Sequence, residues 1–220
     1  MFASLCFSGL LVIVAYLLGS IPTGYLVGRW LQGIDIREHG SGSIGATNVL
    51  RTLGKGPAIA VLLIDLVKGV SSLALIYGLD TATSGALLPL GWKPWLIVAT
   101  ALAAIIGHSR SIWLNFMGGK SAAIGLGVLI VMSPIVGLGT LGAFLFTLAA
   151  FRIVSLSSIS AAIAANIIMI TLNQPFPYLV FTALAGVYII VRHRNNIQRL
   201  MAGTEPKIGQ KLPPEEVPSS

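Results

Sequence analysis

The sequence predicts an all-helical integral membrane protein of seven transmembrane helices, with its N-terminus outside and its C-terminus in the cytoplasm. Three observations carry this fold class. Of 220 residues, 55% are hydrophobic and only 10% are charged, whereas soluble domains carry roughly 25% charged residues. The apolar residues fall in runs near the about 20 residues that a spanning helix takes, parted by short polar segments. The basic residues gather on alternate segments. A cytoplasmic enzyme, a secreted disulfide scaffold and a nucleic-acid-binding domain are excluded as primary readings. The single Cys6 can form neither an internal disulfide nor a thiolate metal site, and the 25 glycines suit close helix packing in lipid.

The first apolar run, residues 2–27, lacks the basic start and small-residue cleavage site of a signal peptide and is expected to remain as a helix. A polar, glycine-rich stretch follows over 29–56. The second run, 57–79, contains Asp65 and Lys68; a loop over 80–93 and a third run over 94–107 come next. After a polar segment, residues 121–151 form one apolar stretch of 31 residues. As one helix it would measure about 46 Å, beyond the ~30 Å hydrocarbon core. The pair Ser133-Pro134 offers a break, so the prediction is two helices, 121–132 and 134–151. Runs over 155–172 and 177–191 complete the seven. This parity places Arg29, Arg37, Arg51, Lys55, Arg110, Lys120, Arg152, Arg192, Arg194, Arg199, Lys207 and Lys211 on one side, 12 of the 14 Lys and Arg. With 121–151 as a single span the 12 would split evenly, so the positive-inside rule prefers seven. The domain division is one transmembrane unit over 1–203 and a proline-rich, mobile cytoplasmic tail over 204–220.

Three polar stretches thus converge on the cytoplasmic end. In the first, residues 37–51, Gly42 and its neighbouring glycines turn backbone N–H groups toward one point, and Ser41, Ser43, Thr47, Asn48 and Arg51 add side-chain groups. That is how a phosphate is cradled. Gly40, Gly42 and Gly45 match G-x-G-x-x-G formally, but a membrane helix rather than a strand precedes them, so the dinucleotide reading is rejected. In the second, His108 precedes Gly118-Gly119-Lys120 at a helix start, another anion site. A nucleotide P-loop would need glycine where Leu114 stands. In the third, His193 and Asn196 share a helical face with Arg192 and Arg199 nearby. Asp65 and Lys68 lie inside an apolar span, where charge is costly; they pair to hold two helices, or Lys68 reaches an anionic ligand. Ser155, Ser157 and Ser158 are either a helix cap or a fourth donor set.

The motifs Gly-Ser-Gly-x-x-Gly-Ala-Thr-Asn-Val-x-Arg at 40–51, Gly-His with Phe-x-Gly-Gly-Lys at 107–120, and His-Arg-x-Asn-Ile-x-Arg-Leu-x-x-Gly-x-Glu at 193–205 resemble those of a known family. It is the bacterial acyl-phosphate:glycerol-3-phosphate acyltransferases, and the resemblance covers essentially the whole chain. Ser43 departs from the family's pattern, which has asparagine there, and Ser109-Arg110-Ser111 stand where apolar residues are common. The resemblance implies transfer of a fatty acyl group from acyl phosphate to the 1-hydroxyl of glycerol 3-phosphate, in the bacterial inner membrane. Family roles fall on Ser41, Lys120, His193 and Asn196 as catalytic positions, and on Arg51 and Ser158. Contact with the enzyme that forms the acyl phosphate is a further expectation.

The residues fit such chemistry. Acyl phosphate is already activated, so catalysis can rest on positioning and charge stabilisation, with His193 the best candidate to help deprotonate the hydroxyl. The H-x-x-x-x-D pattern of other acyltransferases is missing: Ile44, Trp113 and Gln198 stand where its aspartate would follow His39, His108 and His193. Asp35, Asp65 and Asp80 are too scattered to hold Mg²⁺, and neither metal nor cofactor is expected. The rival reading is a small transporter of a phosphorylated solute. Against it, the polar groups gather on one face, whereas alternating access needs a site reachable from both.

Overall fold

The computed structural model describes residues 2–85 and 91–210. Lys211 and the tail prolines Pro213, Pro214 and Pro218, on which parts of the topology and tail expectations rest, lie outside the described residues. The fold is all-helical; among the described residues the only strand-like pairing is an isolated bridge between Ser111 and Met117.

Helices α1 (Phe2–Ser20) and α2 (Thr23–Gln32) share one apolar stretch. The sequence reads as a single run here, yet the helix stops and restarts. Pro22 has no N–H to continue the ladder, and it pushes Ile21 out of the helical region. A 3-10 turn, Ile36–Glu38, and α3 (Ala46–Thr52) lead into the 28-residue α4 (Lys55–Ala82). Then come α5 (Lys93–Ser109), α6 (Ala122–Met132), α7 (Pro134–Phe151), α8 (Val154–Thr171), α9 (Phe176–Arg192) and α10 (Arg194–Met201). The long stretch breaks at Ser133, and Pro134 opens α7, where a missing N–H leaves no bond unmade.

Large apolar side chains face outward along these helices: Phe146 is 76% exposed and Ile170 60%. Apolar residues outside in such numbers belong against lipid, and this is a multi-pass membrane protein. Four of its helical stretches are long and apolar enough to cross a membrane, five if α9 and α10, bent by 61°, count as one span. The helices α5 and α6 are shorter, with 17 and 11 residues.

Lipid supplies no hydrophobic force between helices, so contact depends on close packing. Glycines press two helix pairs together. A Cβ on Gly19 of α1 would stand 2.2 Å from the Ala104 carbonyl of α5, and one on Gly107 of α5 would stand 2.2 Å from that of Tyr16. Gly69 of α4 and Gly127 of α6 do the same at 2.2 and 2.1 Å. A further tie joins α4 to the break before α2. Lys68 Nζ donates to Asp65 at 2.7 Å and to the Ile21 carbonyl at 2.5 Å, while the Thr23 hydroxyl donates to the same carboxylate oxygen at 3.0 Å. Of the two roles open to Lys68, the structural one is what this geometry supports.

Candidate active site

The polar loops meet at one end of the bundle around a cavity of about 330 Å³. Ser41, Ser43, Thr47, Asn48 and Arg51 line it from the first loop, His108 and Lys120 from the second, Ser158 from α8, and His193 and Asn196 from the α9–α10 junction. Gly42, Lys68, Gly118, Gly119 and Arg199 do not line it. Away from this polar end the cavity continues as an apolar groove, with Leu126 and Leu129 of α6, Phe144 of α7, Ala161 of α8 and Phe181 of α9 in its walls.

The first loop is organised around Asn48. Its amide donates to the carbonyls of Ile36, His39 and Ser43 at 2.8–3.0 Å, and its Oδ1 accepts from the Ser41 N–H at 2.8 Å. With these bonds made, Asn48 shapes the loop rather than offering donors to a ligand. Gly40 and Gly42 stand at φ of +60° and +65°, a region open to glycine, and a Cβ on Gly40 would lie 2.3 Å from Asn48 Oδ1. The loop thereby brings Ser41, Thr47 and Arg51 to the cavity wall.

The glycine pair of the second loop has a different task from the expected one. The Gly119 N–H is bonded to the His108 carbonyl at 3.1 Å, so it is not a free anion donor. Arg192 clamps the carbonyls of Gly118 and Gly119 at 3.1–3.3 Å, and a Cβ on Gly119 would stand 2.2 Å from His108 Nε2. The pair lets the turn lie flat on His108 and aims Lys120 into the cavity. Among the described residues, the side chains of Lys120 and Arg51 form no hydrogen bond or salt bridge with the protein. Burial brings the Lys120 amine down to about 8, opposed by the Glu205 carboxylate and reinforced by Arg199, Arg51 and Arg192.

His193 Nδ1 lies 2.8 Å from the Ile189 carbonyl. A carbonyl only accepts, so Nδ1 carries the proton and Nε2 is left as an acceptor. Burial, aided by Lys120, holds this imidazole at about 4 against the raising effect of the Ile189 bond. It is therefore neutral near pH 7. Asn196 donates to Glu205 at 2.6 Å, and its Oδ1 is buried without a partner.

Glu205 is the site residue to which the sequence reading assigned no role. It is the second residue of the segment read as a mobile tail, yet it is only 7% exposed and lines the cavity. Its carboxylate accepts from Ser155 at 2.7 Å, Asn196 at 2.6 Å and Arg199 at 2.7 Å. Burial alone would raise its pKa, but these hydrogen bonds and the Arg199 charge bring it below the ordinary value. Gly203, at φ +71°, reverses the chain after α10, and Ile208 pairs with the Arg152 backbone at 2.7 Å. Arg199 thus acts through Glu205. Ser155 is neither cap nor free donor, since Ile153 precedes α8 with no side-chain cap, and the Ser158 hydroxyl bonds back to Val154 at 3.0 Å.

The family model described as glycerol-3-phosphate acyltransferase matches residues 9–203. The chain belongs to the glycerol-3-phosphate acyltransferase family. It is 62% identical to the glycerol-3-phosphate acyltransferase of Rippkaea orientalis over 94% of this chain and 96% of that protein. With the enzyme of Synechocystis it shares 56% over 92% and 91%. The crystal structure of PlsY, an integral membrane glycerol 3-phosphate acyltransferase, in its glycerol 3-phosphate form is 38% identical with a TM-score of 0.82, covering 92% of this chain and 96% of that chain. Its lysophosphatidic acid form has a TM-score of 0.79 over 92% and 95%. The three motifs through which the sequence resembles this family are the segments that enclose the polar end of the cavity. Glu205 closes the third of them, and that motif spacing was the one sequence signal that could have found it.

Proposed function

We propose that this protein transfers a fatty acyl group from an acyl phosphate to the 1-hydroxyl of glycerol 3-phosphate, releasing lysophosphatidic acid and inorganic phosphate. The observation that carries this reading is a cavity that joins two cations unpaired among the described residues, Arg51 and Lys120, to a neutral imidazole acceptor and then to an apolar groove. Both substrates bear phosphate, which the cations and the Ser41 and Thr47 groups attract. The acyl chain takes the groove.

The hydroxyl of glycerol 3-phosphate donates to His193 Nε2, which directs its oxygen at the acyl carbonyl carbon. A carbon–oxygen bond forms, the tetrahedral oxyanion faces the cationic end, and the bond to the phosphate oxygen breaks with its electron pair leaving on phosphate. The hydroxyl proton ends on that phosphate, which departs with the bonding electron pair and is a far stronger base than an imidazole held at about 4. His193 thus orients the hydroxyl and relays its proton. Asn196 Oδ1 offers a second acceptor for the glycerol hydroxyls. Neither a covalent enzyme intermediate nor a metal is needed.

Seven spans, an outside N-terminus, a cytoplasmic site in the bacterial inner membrane and one catalytic domain over 1–203 are part of the same reading. The one-sided Lys and Arg distribution supports them. Contact with the enzyme that forms the acyl phosphate belongs to it as well. The test is phosphate release by purified protein in lipid given palmitoyl phosphate, with and without glycerol 3-phosphate. Release that depends on glycerol 3-phosphate and is lost in Lys120→Ala is expected. No release from a well-folded sample would refute the enzyme reading, and uptake of labelled glycerol 3-phosphate would then test the transporter.

A further inference from the structure

The apolar groove has a floor, and we infer that this floor sets the longest acyl chain the enzyme accepts. The inference rests on the acyltransferase reading above. The groove's deepest wall residues come from four helices: Leu129 of α6, Thr140 of α7, Ala165 of α8 and Phe181 of α9. Beyond them Met132, Val136 and Met169 are buried and outside the groove lining, closing it with packed core. The walls beside α4 and α7 are partly open, since Leu63 and Leu145 line the groove and are 54% and 52% exposed. A chain can enter from the lipid side there, but its end meets the floor.

The depth follows from the helices. Phe181 of α9 lies twelve residues before His193, the residue that caps this helix, or about 18 Å away at the helical rise. An extended chain advances about 1.3 Å per carbon for carbon–carbon bonds near 1.5 Å. The floor is therefore reached by an acyl chain of about 14 to 16 carbons. Lipid tails are as apolar as the groove, so transfer into it gives no reward per methylene; only steric fit at the floor discriminates. Thr140 is the position where that fit can be changed with least harm. It is buried, and its hydroxyl has no partner. An alkyl or aromatic side chain there breaks no hydrogen bond and fills space in the groove.

The experiment measures kcat/KM for acyl phosphates of increasing length, each at the same mole fraction in mixed micelles, for the wild type and three variants. The wild type should accept chains up to about 16 carbons and lose about tenfold or more beyond the limit, the scale on which pockets reject extra methylenes. Thr140→Phe should move the drop to shorter chains by about two to three carbons, given a side chain longer by roughly 3 Å. Thr140→Val should leave the profile in place, and Phe181→Leu should move it to longer chains. A wild-type profile flat through 20 carbons would overturn the inference. So would unmoved limits in Thr140→Phe and Phe181→Leu. Should Thr140→Phe not fold, Phe181→Leu decides alone. Absence of activity at every chain length would count against the acyltransferase reading instead.

Discussion

The state of Lys120 gives the sharpest test of the anion site. With its amine at about 8, roughly nine in ten molecules carry the charge at pH 7 and roughly one in ten at pH 9. Glycerol 3-phosphate is already a dianion in that range, its second pKa being near 6. If the charged amine is what receives phosphate, kcat/KM for glycerol 3-phosphate falls about tenfold from pH 7 to pH 9. A bound dianion favours the ammonium form, so the limb moves upward in kcat. Lys120→Arg keeps a cation at every accessible pH, and its alkaline limb should vanish whatever the loss in absolute rate. Glu205→Gln removes a charge that raises Lys120 and should move the limb below pH 8. The assay is phosphate release at fixed palmitoyl phosphate, with glycerol 3-phosphate varied at each pH. An alkaline limb unchanged in Lys120→Arg would refute the assignment.

Three further outcomes follow from the geometry. Glu205→Gln should lower the unfolding midpoint in detergent by about 4–12 °C, from a loss of about 2–3 kcal/mol where three donors meet a buried carboxylate. Because the Glu205 pKa is lowered on folding, its stabilisation is present above the ordinary carboxylate range and should fade as pH falls through the folded value. His193→Gln should reduce turnover by about a hundredfold or more with little change in melting, and near-normal turnover would remove His193 from the reaction. Asp65→Asn leaves Lys68 buried without its counter-charge and should cost about 3–5 kcal/mol; Asp65→Asn with Lys68→Met should recover much of it, read by thermal unfolding of the two variants.

The architecture was legible because its signals are additive along the chain. Run length and a proline exposed the Ser133-Pro134 break, and residues from three polar stretches far apart in sequence line one cavity. Individual roles were less legible, because a residue type does not reveal which neighbour takes its hydrogen bonds. Asn48 was read as a substrate-binding group, and its amide proves to hold the loop. Gly118 and Gly119 were read as N–H donors; the Gly119 N–H is spent on the His108 carbonyl, and both glycines permit a close approach to the His108 residue. Lys68 takes the Ile21 carbonyl, left outside the helical ladder because Pro22 interrupts the first helix, a break hidden inside a continuous apolar run. Glu205 stood in a segment whose composition reads as tail. Its burial depends on a chain reversal at Gly203 and on partners 9 and 50 residues away.

The tie between Lys68 and the Ile21 carbonyl bears on how the chain enters the bilayer. At the opened helix the Ile21 oxygen keeps only a tight-turn bond from the Thr23 N–H at 3.0 Å, an incomplete pairing that hydrocarbon cannot make good, and α4 carries an ammonium and a carboxylate that hydrocarbon disfavours. Each segment is a poor solitary guest in lipid. Together they cancel: the amine caps the oxygen, the carboxylate answers the amine, and Thr23 completes the set. Insertion of the first span is therefore incomplete until the second arrives, and the two should leave the translocation machinery as a pair. A ribosome-bound chain ending before Lys68 would hold its first helix less firmly than one extending past it.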